Sequence, residues 1–205
     1  MTRPSGVIFD IGGVLIDFDH MLICERLAKD CGLTPADVYA KIFTSGIEAD
    51  YDTGALSTDE FLSAVCRAIT LNMPRAELSE IWCGIFSEKK DVTSIIRSIH
   101  GKTRLMLLSN TNELHFEYAR KKFPVLDSLF EPKFLSFEIG LRKPDPAIYK
   151  KVIELTCLNS KDLVYIDDRQ DYVDAAQAAG LPSERFTSAE NLKKLLLKLD
   201  FDLTI

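Results

Sequence analysis

Four places in this chain put a chemically capable side chain just beyond a short apolar run or in a loop. Asp10 follows Val7-Ile8-Phe9 and precedes Gly12-Gly13. Ser109 and Asn110 follow Leu105-Met106-Leu107-Leu108, and Asp167-Asp168 follow Leu163-Val164-Tyr165-Ile166. Lys143 lies in Gly140-Leu141-Arg142-Lys143-Pro144-Asp145-Pro146, where Pro144 favours an extended conformation for it. A nucleophilic carboxylate, a metal-binding carboxylate, a fixed cation and a hydroxyl donor are what phosphoryl transfer through an aspartyl-phosphate requires. Mg2+ prefers one or two protein carboxylates and otherwise keeps waters and substrate oxygens, a demand that Asp10 and Asp168 fit. Taken singly, each group has an ordinary reading. A strand-end Asp can sit in a turn, Ser109-Asn110 or Asp167-Asp168 can cap the next helix, and Lys143 can be a solvated surface charge. Their order and shared placement favour one site.

These groups converge only if the apolar runs are strands of one sheet. Val7-Ile8-Phe9 shows no polar–apolar alternation and suits a strand buried on both faces. Asp10 would then emerge at the strand's carboxyl end, where open α/β sheets place their ligands. From about residue 91, strands over Arg104–Leu108, Lys133–Leu135, Leu163–Ile166 and Glu184–Phe186 alternate with helices. The helices are expected at about 92–100, 112–123, 145–156, 171–179 and 188–199, the pattern of a doubly wound parallel sheet. Residues from about 19 to 90 read instead as helix upon helix. Thr34-Pro35 is an N-cap with proline at the first helical position, and Ser57-Thr58-Asp59-Glu60 is a capping box before Phe61, Leu62, Val65 and Ile69. Pro74 opens a further helix carrying Leu78, Ile81, Trp82, Ile85 and Phe86. The expectation is an α/β, Rossmann-like core from residues 1–18 and 91–205, with a helical-bundle cap inserted at 19–90.

Composition bounds the partners. The chain has 205 residues, 46% hydrophobic and 27% charged, ordinary values for a globular enzyme. A formal charge of −6 with no basic stripe argues against nucleic acid as a partner. Five cysteines, odd in number and without a CxxC pair, read as reduced thiols. There is no signal-peptide apolar region and no apolar segment of spanning length, so a cytoplasmic location without membrane contact is expected.

In order and spacing the four segments resemble the four motifs of the haloacid dehalogenase superfamily of hydrolases. The resemblance covers nearly the whole chain, helical insertion included. It looks closest to the bacterial α-glucose-1-phosphate phosphatase-like branch, with further support from Ile148-Tyr149, Ala175-Ala176, Gly180 and the segment Asp52-Thr53-Gly54-Ala55-Leu56-Ser57. The resemblance implies that Asp10 attacks phosphorus. It implies that Ser109 and the Asn110 amide hold a phosphoryl oxygen, and that Lys143 offsets charge. Asp10, Asp168 and the carbonyl of Gly12 would bind Mg2+, and Asp167 would orient Lys143 or a metal-bound water. The implied reaction is hydrolysis of a small phosphorylated metabolite such as a sugar phosphate.

Two positions depart from the family pattern. Most phosphatases of the superfamily have Asp where this chain has Gly12, and that acid protonates the leaving group. General acid–base help is worth about 10²–10⁴-fold, so slow turnover is expected unless a water or a cap residue takes over, or the leaving group is good. Tyr172 stands where relatives often have Asn or Asp, with Asp171 a possible but less favourably registered substitute. The competing readings are a metal-independent haloacid dehalogenase, a phosphomutase, and a catalytically weak protein that binds a phosphometabolite. The pair Asp167-Asp168 favours phosphate chemistry over the first. His20, His100 and His115 have no ligand spacing, and His20 alone is placed to face a cleft. Trp82 and Phe86 are expected on one helical face, and Glu48, Asp50, Tyr51 and Asp52 could read substrate hydroxyls. The oligomeric state is not legible.

Overall fold

A computed structural model describes residues 3–203. Five parallel strands form the sheet: β1 (Gly6–Phe9), β4 (Arg104–Ser109), β5 (Lys133–Leu135), β6 (Leu163–Asp167) and β7 (Ser183–Arg185), in the order β5-β4-β1-β6-β7. β1 is central and buried along its whole length, which is why its sequence does not alternate. Its register pairs Phe9 with Leu107 on one side and Ile166 on the other. Asp10 therefore stands level with Leu108 and Asp167.

Strand pleating sends alternate residues to opposite layers. Val7, Phe9, Leu105, Leu107, Val164 and Ile166 join one apolar cluster with α6 (Lys90–Ile99), α7 (Glu113–Lys122) and α12 (Ala189–Lys198). Ile8, Met106, Leu108 and Tyr165 join another with α10 (Pro146–Thr156) and α11 (Gln170–Ala178). Helices cover both faces, so the fold is the expected doubly wound α/β sheet. Helix and strand bounds fall within one or two residues of those read from the pattern.

A third apolar cluster is built from a separate stretch of chain. α1 (His20–Cys31), α2 (Pro35–Tyr39), a π-helical turn (Ala40–Thr44), α3 (Ile47–Asp52), α4 (Thr58–Ala68) and α5 (Arg75–Cys83) pack around Leu27, Tyr51, Phe61 and Trp82. The capping boxes of Thr34 and Ser57 are both formed. One expectation fails here. The helix opened by Pro74 stops at Cys83, and Phe86 belongs to β3 (Phe86–Glu88), which pairs antiparallel with β2 (Ile16–Phe18). Gly84 ends the helix, and a three-residue strand with a partner about seventy positions away leaves no periodic signal. Trp82 is therefore buried in the helical cluster while Phe86 faces a cavity, and the two share no helical face. Among the described residues no helix is long and apolar enough to cross a membrane, and all five cysteines are free thiols.

Candidate active site

The carboxyl ends of β1 and β6 bring the side chains of Asp10 and Asp167 side by side, and like charges so placed repel. Lys143 resolves the conflict from the loop before α10. Its Nζ lies 3.0 Å from Asp10 Oδ2 and 2.7 Å from Asp167 Oδ2. It also donates to the hydroxyl of Tyr165 at 2.9 Å and to the Leu108 carbonyl at 3.3 Å. Only 1% of Lys143 is exposed, so the solvated-surface reading of this residue does not hold. Burial alone would depress the ammonium, but the carboxylates of Asp10 and Asp167 outweigh it and hold the pKa above the ordinary lysine value.

Asp10 is less well compensated. Burial and the Asp167 charge push its carboxyl up to about 7, although Lys143 and the Ile11 amide, which donates to Oδ1 at 2.7 Å, pull the other way. Asp168 is half-buried and also raised, first by burial and then by Asp167. Oxygens of Asp10, Asp167 and Asp168 lie within 4.8 Å of one another. Three hard carboxylates facing one ammonium leave an excess of negative charge, and that donor set suits a small dication. Asp167 is the most committed of the three: Oδ2 is bonded by Lys143 and Tyr165, and Oδ1 accepts from the Arg169 amide.

The glycines after Asp10 have different reasons. Gly13 has φ +72° and lies so close to Asp168 that a Cβ would fall on its carboxylate. At Gly12 the backbone needs no glycine, but a Cβ there would come within 2.6 Å of the ring of Phe18. An aromatic ring occupies the space into which an acidic side chain at position 12 would project.

Ser109, 3% exposed, ends β4 at the cavity. Asn110 does not cap the next helix; Asn112 does, accepting from the His115 amide. Asn110 instead braces Lys143: its Oδ1 accepts from the Lys143 amide at 2.8 Å and its Nδ2 donates to the Lys143 carbonyl at 2.9 Å. The same Nδ2 reaches the Tyr172 hydroxyl at 3.3 Å. Tyr172 thus lies against the lysine, with Nζ 5.0 Å from its ring centroid. Asp171 cannot substitute for it, being paired with Arg169 in solvent.

Above these groups lies a cavity of about 400 Å³ between the sheet's carboxyl edge and the helical layer. Asp10, Gly12, Ser109, Asn110, Lys143, Asp168 and Tyr172 line its floor, and Phe18, Phe43, Phe86 and Phe116 its aromatic walls. His20, Glu48, Asp52, Arg142 and His115 also line it. Asp50 is exposed, and Tyr51 is buried among the helices, so neither joins the cavity. Asp52 accepts from Asn112 Nδ2 at 3.0 Å and faces Arg142 at 3.6 Å. Burial raises Asp52 to about 6 despite both partners. Sequence reasoning gave no site role to several lining residues, among them Arg142 and His115. The latter is buried, stacked on Trp82, and held by burial near a pKa of about 3. No spacing signal marks either, since their partners come from distant segments.

Comparison with known proteins identifies the family. The family model for haloacid dehalogenase-like hydrolase matches residues 4–180. A D-ribitol-5-phosphate phosphatase of Bacteroides thetaiotaomicron is 27% identical over 175 residues, 80% of this chain and 82% of that protein. A sesquiterpene phosphatase of Aspergillus oryzae is 25% identical over 192 residues, 92% of each. The fold matches that of a HAD family enzyme from B. thetaiotaomicron solved with magnesium and inorganic phosphate. The TM-score is 0.84 at 24% identity, covering 94% of this chain and 98% of that one. With a model matched over most of its length and phosphatases among its relatives, this chain belongs to the haloacid dehalogenase-like hydrolases.

Proposed function

We propose that the protein is a Mg2+-dependent phosphomonoester hydrolase working through an aspartyl-phosphate on Asp10. The observation that carries this reading is the junction of Asp10, Asp167 and Asp168, at the ends of two adjacent strands, with Lys143 from the loop before α10, facing a cavity. Asp10 Oδ attacks phosphorus in line with the ester oxygen. Ser109 Oγ and the Asn110 amide hold a phosphoryl oxygen, and Lys143 counters the charge on the nucleophile and the transferring group. Asp10, Asp168 and the Gly12 carbonyl would hold Mg2+, which when bound offsets charge on the phosphoryl oxygens. Asp167 keeps Lys143 in place. The helical segment 19–90 acts as a cap over the site, excluding water and reading the rest of the substrate.

A small phosphorylated polyol or sugar suits the cavity. Glu48, Asp52 and Arg142 offer hydrogen bonds to hydroxyls, and the ribitol-phosphate phosphatase relative supports the same class. Hydrolysis of p-nitrophenyl phosphate tests the chemistry. Turnover should require Mg2+, stop with chelator and fall at least about a thousandfold in Asp10→Asn. Metal-independent chloride release from 2-haloacids, or full activity in Asp10→Asn, would overturn it.

A further inference from the structure

Lys143 has more oxygens to serve than it has hydrogens. An ammonium carries three N–H donors. Around Nζ lie Asp167 Oδ2 at 2.7 Å, the Tyr165 hydroxyl at 2.9 Å, Asp10 Oδ2 at 3.0 Å and the Leu108 carbonyl at 3.3 Å. Two of these acceptors are carboxylates and one is a backbone carbonyl of the sheet. Tyr165 differs from all of them because it both accepts and donates. Its oxygen accepts from Lys143, and its own hydrogen goes to Asp167 Oδ2. Burial and the charges of Asp10 and Asp167 push the phenol well above the ordinary tyrosine pKa, so the hydroxyl keeps that hydrogen.

The backbone fixes where that hydroxyl points. Tyr165 stands two positions before Asp167 on β6, and pleating sends both side chains to the same side of the sheet. The strand is held on both flanks, with Tyr165 opposite Ile8 of β1 and Ser183 of β7. Its ring is fully buried in the cluster that includes Ile8, Met106, Leu108 and Tyr149. On the phosphatase reading, we propose that Tyr165 is a positioning residue that acts through Lys143. By donating to Asp167 it keeps that carboxylate satisfied, and by accepting from Nζ it gives one N–H a neutral resting place. Hydrogen bonds to charged groups are roughly twice as strong as neutral ones, so the hydroxyl yields this N–H more readily than a carboxylate would. As the phosphoryl group approaches Asp10, the N–H turns from the hydroxyl to a phosphoryl oxygen while Asp167 keeps its bond from Tyr165. Tyr165 itself makes no covalent bond and gives up no proton.

Tyr149 supplies the contrast. It comes from α10, its ring centroid lies 6.0 Å from that of Tyr165, and it is equally buried. Its hydroxyl, however, has no partner among the described residues. The two tyrosines share their packing, but of the pair Tyr165 bonds the lysine. Phenylalanine at position 165 would keep the ring and leave Nζ with Asp10, Asp167 and Leu108 for its three hydrogens, so the variant should fold. The hydrogen released from the hydroxyl would then rest on a carboxylate, which gives it up less readily.

The test measures p-nitrophenyl phosphate hydrolysis with Mg2+ by the parent, Tyr165→Phe and Tyr149→Phe, with a melting curve for each. Tyr165→Phe should lower kcat about 10–100-fold, the scale of a slightly misplaced catalytic group. KM should stay within about threefold, because the contact tightens only as the phosphoryl group transfers. Inhibition gives a second reading on the same variant. Orthovanadate, which can take the five-coordinate geometry of transfer, should weaken at least about tenfold, and inorganic phosphate less than about threefold. Tyr149→Phe should keep kcat within about twofold of the parent. A loss of kcat below about tenfold in Tyr165→Phe, an equal loss in Tyr149→Phe, or a change confined to KM would reduce Tyr165 to packing and overturn the proposal. A parent without Mg2+-dependent turnover would instead overturn the phosphatase reading, and this role with it.

Discussion

Two buried carboxylates sharing one ammonium set the character of the Asp10 site. Lys143 cannot neutralise both Asp10 and Asp167, so the protein holds Asp10 up to about 7, where burial favours the uncharged form. The consequence for stability has a definite sign. A carboxyl raised on folding contributes stability that is full below its ordinary pKa of 3.8 and is lost as pH rises through about 7. Removing that titration helps only where Asp10 would be charged. In chelator, Asp10→Asn should therefore melt above the parent at pH 8, and the two should converge near pH 4. A lower melting point for Asp10→Asn at pH 8 would mean that the Lys143 pairing outweighs burial. Of the neighbouring glycines, Gly13 is dictated by its positive φ and the approach of Asp168, whereas Gly12 is matched by a ring that fills the space beside it.

At the scale of elements, local signals marked the helix starts and long-range pairing decided the rest. Ser57 and Glu60 exchange hydrogen bonds as the capping box requires, and this was legible because the whole motif spans four residues. Asn112 does more than cap α7, since its Nδ2 also holds Asp52, which is 5% exposed. Ser57→Ala should cost about 1 kcal/mol, as loss of a cap alone. Asn112→Ala should cost about 2–4 kcal/mol, because it also leaves a buried carboxylate without its donor. Urea unfolding of both variants checks the difference, and equal costs would show the Asp52 bond to be idle. The β2–β3 ribbon escaped sequence reading because its partners are far apart in sequence and each strand is only three residues long.

For the whole molecule, the cavity exists only because two layers with separate apolar clusters face each other. Links cross between them at several points. The Leu114 amide donates to the Tyr51 hydroxyl at 3.1 Å, the Thr58 hydroxyl donates to Glu113 at 2.6 Å, and Arg142 faces Asp52. Arg142 precedes Lys143 directly, so one short loop supplies the buried cation of the floor and a cation to the helical layer. Its charge lowers both Glu48 and Asp52. Arg142→Ala should accordingly raise the pKa of both carboxyls, a shift that NMR titration of their side-chain carboxyl carbons would read. Titrations that stay put would mean that the guanidinium does not act on these carboxyls.

What the sequence determined by itself is the sheet, its helices and the four segments that meet at Asp10. Those follow from local periodicity, caps, and polar residues at the ends of apolar runs, all readable within a window of a few residues. Only the tertiary structure decided that Lys143 is buried between Asp10 and Asp167, that Asn110 braces it, and that Phe18 fills the place beside Gly12. It likewise brought Glu48, Asp52 and Arg142 over the same cavity. The physical reason is the range of the interactions. Backbone conformation responds to neighbours in sequence. Burial, charge pairing and pKa respond to neighbours in space, which come here from segments tens of residues apart.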